Sequence, residues 1–279
     1  MVRGMAGAKE FQKRIERATV RASKRTRIET FPKLAEAVNG QYHIKDEPPL
    51  IYHYDPLNPD ENNLDTGEWR AMVRGFLESL SEERRVIVMR YRAVDVAQKV
   101  VGVGSVGTRC AIVLCLGGAE GDDPLFMQIK EAGPSVLEPY VGASHHKNHG
   151  ERVVVGQRMM QAASDIFLGA TQDAASSREF YVRTLKNRRL GGISELSESK
   201  DLSDYAQLCG KTLARAHARS GEPAMIAGYM GKSEVMDDAI ASFAMAYADQ
   251  TVLDHTALMK AKGTKAAKSA TAKKAAKAA

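Results

Sequence analysis

Hydrophobic spacing divides the chain into helical and extended stretches. Between Glu68 and Leu80, the residues Trp69, Met72, Val73, Phe76 and Leu80 recur at intervals of three and four, which makes one face of a helix apolar. Ser81 stands where an N-cap would open the next helix, and Glu82 and Glu83 then lie at the positive end of its dipole. Val86, Ile87, Met89 and Arg90 belong to that helix. The period then changes. Val94–Val103 and Arg109–Leu116 are rich in β-branched residues and flank a glycine cluster, and Leu125–Glu131 follows the turn Gly117–Asp123. Three strands with connections this short pair as an antiparallel meander, because a parallel crossover needs about a dozen residues.

The remaining pattern supplies helices. Ala8–Arg27 reads as a basic, weakly amphipathic helix with Phe11, Ile15 and Ala18 on one side. Pro48, Pro49, Pro56, Pro59, Asn62 and Asn63 mark a loop after it. Glu151–Leu168 reads as a long helix carrying Val154, Met159, Met160, Ala163, Ile166 and Phe167. Phe180–Leu185 reads as a strand and Leu202–Arg219 as a helix with Tyr205, Leu208, Leu213 and Ala216 inward. Ser233–Met259 reads as a last helix. The expected fold class is α+β, a small antiparallel sheet with a glycine-rich loop packed on helices. Three regions are expected: a basic helical segment over 1–49, a folded region over 50–258 and a disordered Lys/Ala-rich tail over 259–279.

Charge sharpens that division. Residues 1–34 carry ten Lys/Arg against three Glu, and residues 259–279 carry seven Lys and no acid. With a total of +6, the stretch between them is net −8, so only the ends are basic. The tail offers phosphate contacts to nucleic acid but no aromatic residue for base stacking. No stretch reaches the roughly 20 apolar residues of a membrane helix, and the basic N-terminus lacks a signal-peptide apolar core. The expected location is the cytoplasm. Cys110, Cys115 and Cys209 form no CxxC pair and read as buried small hydrophobes.

The most informative stretch is Gly102-Val103-Gly104-Ser105-Val106-Gly107, which fits G-x-G-x-x-G. A dinucleotide-binding loop opens a helix, whereas Arg109–Leu116 after this one is strand-like. Strand-loop-strand is the arrangement of a kinase glycine-rich loop, in which exposed amides donate to phosphate oxygens. Such a loop predicts a lysine on the third strand, and Phe126-Met127-Gln128-Ile129-Lys130 supplies one. Alternation puts Gln128 and Lys130 on one face, with Glu138 or Glu151 as the acidic partner of Lys130. The bland alternative is a glycine-rich hairpin with a surface lysine.

Several longer segments resemble one family. VVGVGSVGTRC (Val100–Cys110), DPLFMQIKEA (Asp123–Ala132), SVLEPY (Ser135–Tyr140), GQRMMQAASDIFLG (Gly156–Gly169), CGKTLARAHARSG (Cys209–Gly221) and AYADQ (Ala246–Gln250) are similar, in order, to the domain of unknown function 2252 family. The resemblance spans roughly residues 20–258. It implies a distant likeness to kinases and aminoglycoside phosphotransferases. It also implies a preceding segment with Gly-Asp, His and Asn-Phe-Gly, which this chain does not contain, so the chain reads as an N-terminally truncated member with an incomplete kinase-like domain. Two positions depart from the family pattern: Val155, where Glu is expected, and Glu222, where Asp is expected.

Other candidates are weaker. His53-Tyr54-Asp55 echoes the H-x-D of a kinase catalytic loop, but Asp60 stands where its Asn would be, and no D-F-G occurs. His145, His146 and His149 cluster in a loop without a full metal-ligand set, and no metal site is expected. Arg215, His217 and Arg219 end a helix and are candidates for contact with an anion or a partner; helix-end capping is the alternative.

Three functions compete. In the first, the chain is the phosphate-binding half of a phosphotransferase-like domain. Gly102, Gly104, Ser105, Gly107 and Lys130 bind ATP or a similar nucleotide with Mg, and a separate polypeptide supplies the catalytic segment. In the second, the basic termini bind nucleic acid without enzymatic activity. In the third, the chain is the inactive fragment of a disrupted gene. Apolar surface left by a missing half would favour self-association.

Overall fold

The structure is a computed structural model. It describes residues 27–53, 64, 66–102, 105–119, 121–185 and 199–262, together with residues 13, 16–17 and 19–20, which are helical. The chain divides into two compact units, Met1–Ser220 and Gly221–Ala279. Residues 263–279, most of the Lys/Ala-rich tail, lie outside the described residues.

The first unit starts with helix α1 (Arg27–Leu34) and the hairpin β1 (Ala35–Val38) and β2 (Gln41–Ile44). There follow β3 (Ile51–Tyr52), α2 (Gly67–Glu78), α3 (Glu82–Val88), β4 (Arg92–Lys99), β5 (Cys110–Gly117) and β6 (Asp123–Ala132). Then come α4 (Glu138–Val141), α5 (His149–Met160), β7 (Gly169–Asp173), β8 (Arg178–Thr184) and α6 (Ser199–Ser220). The second unit contains α7 (Pro223–Met230) and α8 (Val235–Ala261). The main sheet has the order β3-β4-β5-β6-β8-β7, and every neighbouring pair is antiparallel. The expected meander β4-β5-β6 is therefore present.

The sheet is covered on both faces. On the first face, Phe76 and Leu80 from the α2 segment pack on Val113, Leu125, Met127 and Val182. On the second, the hairpin and β3 contribute Ala35, Ile44 and Ile51 to a cluster with Ala97, Ile112, Leu114 and Phe126. The neighbours Ile112, Val113 and Leu114 are 0%, 3% and 0% exposed, which is why β5 reads as a continuous apolar run rather than an alternating one. Further along the second face, Val154 of α5 meets Leu168 and Ala170.

Helix starts follow local chemistry. Thr66 caps α2 by accepting the Trp69 amide at 3.1 Å, and Asn148 caps α5 by accepting the Glu151 amide at 3.0 Å. Ser81 does sit at the start of α3, but its hydroxyl donates to the Glu83 carboxylate instead of accepting an amide.

Three segments differ from the sequence reading. Residues 35–44, inside the segment expected to be helical, form a hairpin. Asn39 and Gly40 have φ of 51° and 79°, the left-handed pair that a two-residue hairpin turn requires. The helix expected over 151–168 stops at Met160. Phe167 is buried among first-face residues and Leu168 among second-face residues, and the turn closed by the Leu168 amide on the Asp165 carbonyl at 3.2 Å lets the two side chains part on entry to β7. In α6, Ala216 is buried while Leu213 is 53% exposed, because α6 packs along α5 alone among the described elements with substantial contact.

Between α2, α3 and strands β4, β5, β6, β8 and β7, the first face carries a partly open apolar pocket of about 250 Å³.

The start of α5 lies against β8 so closely that a Cβ on Gly150 would overlap the Phe180 carbonyl oxygen, whereas a Cβ on Gly156 would meet nothing within 4 Å. Gly150→Ala should lower unfolding stability by about 2–3 kcal/mol. Gly156→Ala, in the same helix, should raise it by about 0.5–1 kcal/mol. Urea unfolding curves of the two variants check the contrast.

Candidate functional site

The glycine-rich loop joins β4 to β5 and folds back on itself in two successive turns. The Ser105 amide donates to the Gly102 carbonyl at 2.9 Å, and the Thr108 amide donates to the Ser105 carbonyl at 3.0 Å. The two hydroxyls reinforce the same turns, each donating to the same acceptor at 2.7 Å. Gly107 has φ of 83°, a conformation that a Cβ would strain. Gly104 lies outside the described residues. A strand, not a helix, follows at Cys110. In this conformation the Ser105 amide already has an acceptor, so it would reach a phosphate only if the turn opened.

Lys130 faces the second side of the sheet, as alternation requires, directly across from Cys110 on β5 and Tyr181 on β8. Its ammonium lies 5.9 Å from the centre of the Tyr181 ring. Neither expected carboxylate pairs with it. Glu138 accepts the Ser135 amide at 3.2 Å, closing the first turn of α4, and Glu151 is exposed in the first turn of α5.

The sheet register brings two further cations to Lys130. Burial pushes the Cys110 thiol pKa up, and Lys130, Lys99 and Arg183 pull it back down, so all three charges act at one point. Gln128, 4% exposed, organises the patch: its amide donates to Cys110 Sγ at 3.5 Å, and its carbonyl oxygen accepts Arg183 Nη2 at 3.2 Å. Arg183 also lies 6.0 Å from the Tyr181 ring. Among the described residues, no carboxylate forms an ion pair with Lys99, Lys130 or Arg183. The nearest acidic residue in sequence, Glu131, points elsewhere: it accepts the Arg109 amide at 2.8 Å and pairs with Arg178 at 3.5 Å. Sequence reasoning found Lys130 and put Gln128 on the same face, but missed Lys99 and Arg183, which only strand pairing assembles.

A second constellation surrounds Asp95. The β4–β5 register shifts between Ala93 and Asp95, and this bulge sends the Asp95 carboxylate toward the hairpin. It is 8% exposed and accepts the Ile44 amide at 2.6 Å and His53 Nε2 at 3.1 Å, with His43 Nδ1 at 3.8 Å. His53 Nδ1 reaches Asp46 at 2.9 Å. The hydrogen bond to Asp95, partly opposed by burial, raises the His53 pKa to about 9, with Asp46 adding to the rise. His53 is thus an imidazolium donating from both ring nitrogens, not a free base for an H-x-D motif; Asp55 lies outside the described residues.

The remaining candidates are scattered. Arg215, His217 and Arg219 are exposed on α6, and Arg219 donates to the Met160 carbonyl at 3.3 Å, at the negative end of α5. The His149 amide donates to Glu179 at 2.6 Å, and no group of three or more His, Cys, Asp or Glu among the described residues is placed to hold a metal. Cys115 faces the first side of the sheet, where burial pushes its pKa up to about 12. Cys209 is exposed, contrary to the expectation for all three cysteines, because it lies on the side of α6 that no described element covers.

With this geometry in hand, comparison with known proteins gives one match. The family described as "Uncharacterized protein conserved in bacteria (DUF2252)" matches residues 2–261. The chain belongs to this family. No curated protein and no solved structure matches it. In this DUF2252 member, Glu222 does the capping work open to an Asp, accepting the Ala224 amide at the start of α7 at 3.3 Å. Val155, where Glu was expected, is half-buried in α5.

The Asp46–His53–Asp95 clasp makes DUF2252 stability depend on pH. The folded state holds the His53 proton more tightly than the unfolded chain, with a pKa of about 9 against 6.5. The clasp therefore contributes fully below pH 6.5, and the contribution fades as pH rises through about 9. His53→Gln should remove that slope between pH 6.5 and 9.5 in urea unfolding, measured against wild type.

Proposed function

We propose that this chain is the nucleotide-phosphate-binding half of a phosphotransferase-like protein. The observation that carries the reading is the convergence of Lys99, Lys130 and Arg183 around Cys110 and Gln128 with no carboxylate partner among the described residues. Three adjacent cations repel one another, and an anion with several charges relieves that repulsion. A polyphosphate such as that of ATP fits the need: Arg183 contributes a planar fork for two oxygens and the lysines contribute point charges. The loop over Gly102, Gly104, Ser105 and Gly107 lies at the end of the strands that carry Lys99 and Lys130, and it would close over the phosphates once its inner turn opened. Lys130 is the analogue of the third-strand lysine of kinases in this reading.

The patch fits phosphates better than it fits magnesium. A magnesium ion takes oxygen ligands, usually carboxylates with the phosphates, and none faces these cations among the described residues. In this reading, metal ligands and the catalytic base come from groups outside the described residues, a separate polypeptide among them. The second unit supports the need for a partner. Helix α8 has no buried residue, and Phe243, Met245 and Val252 are 67%, 71% and 65% exposed. Large apolar side chains exposed together on one helix mark a surface that is normally covered.

Titration calorimetry with ATP and magnesium tests the reading. Wild type should release or absorb heat on binding, and Lys130→Met and Arg183→Met should each weaken the affinity at least about tenfold, or about 1.4 kcal/mol. A wild-type protein that gives no heat sinks the nucleotide assignment.

A further inference from the structure

We propose that the cavity between the sheet and helices α2 and α3 binds a small, uncharged, apolar molecule, of the size of one aromatic ring or a short alkyl chain. The site lies on the sheet face opposite Lys130 and does not depend on phosphate binding. At about 250 Å³ it is well beyond a packing defect. An apolar void of about 150 Å³ already accepts benzene, while a space for water needs polar partners to hold it.

The lining decides the ligand's chemistry. Trp69, Met72, Val113 and Met127 offer only carbon, sulfur and ring surface to the space. The strand amides and carbonyls behind them are paired in the β4–β5–β6–β8 ladders. The one hydroxyl in the wall, Thr171 Oγ1, donates to the Met72 carbonyl at 2.6 Å. At the rim, the Tyr91 hydroxyl donates to Asp123. A charged or strongly polar ligand would trade hydration for a mainly apolar wall, so an uncharged apolar one is favoured. The Cys115 thiol also faces the space, but with its pKa pushed up to about 12 by burial it is not a nucleophile, and capture is non-covalent. The lining draws on five neighbouring strands, β4, β5, β6, β8 and β7, at about 4.8 Å spacing, which suits a flat ring or an extended chain lying across the sheet.

The chain has a built-in reporter, since Trp69 is its only tryptophan. Full-length protein titrated with benzene and, separately, with 1-octanol should show a saturable change in Trp69 emission and a rise in thermal midpoint of about 2–5 °C. Ala93→Leu, with Ala93→Val as a milder version, fills the space from β4. Either folded variant should lose most of the emission response and melt at or above the wild-type temperature in the absence of probe. Wild-type emission and midpoint that ignore both probes would overturn the proposal. So would an undiminished response in a folded, filled variant. The wild-type titration decides the matter even if neither variant folds.

Discussion

The carboxylate of Asp95 ties the β1–β2 hairpin and β3 to the rest of the sheet. It takes the last amide of the β1–β2 hairpin and the imidazole that follows β3, while Asp46 holds the other side of the same ring. A buried carboxylate is tolerated only when its lone pairs are filled, and here two neighbouring amides and a cation fill them. Apolar contacts then complete the join, with Ala35, Ile44 and Ile51 covering Ile112 and Leu114 of β5. That cover keeps the second face of β5 dry and holds the register on which the other arrangements rest.

From that register the two faces of one sheet acquire different chemistries. On β5, Cys110 and Cys115 are an odd number of residues apart and so face opposite sides. Around the first gather Lys99, Lys130 and Arg183; around the second gather methionines, valines and the Trp69 ring. Neither set is a sequence motif. In each, strand alternation delivers side chains from β4, β5, β6 and β8 to one side, and on the first face α2 adds Trp69 and Met72.

The sequence made the meander legible because β-branched runs, glycine clusters and short connections agree with one another there. The same agreement located α2, α3, β8 and α8 to within a few residues. Asn39-Gly40 was an equally clear hairpin signal, but it lay in a stretch whose basic composition suggested helix. The over-long reading of α5 had another cause: Phe167 and Leu168 continue an apolar helical period although tertiary packing pulls them apart. At the candidate site, Lys130 was visible because a neighbouring glycine pattern pointed to it. Lys99 and Arg183 stand 31 residues before it and 53 after it, with no local pattern joining them, so only pairing could reveal them. The clasp was hidden for the same reason, since His53 and Asp95 are 42 positions apart.

The peptide between Phe167 and Leu168 has a mechanical implication. One of these side chains is sealed under α2 and the other under α5, at 1% and 0% exposure. The two layers are therefore riveted together through a single link at the entrance to β7. A fluctuation that loosens one layer must drag on the other, so the layers should open in a single concerted event rather than as independent foldons.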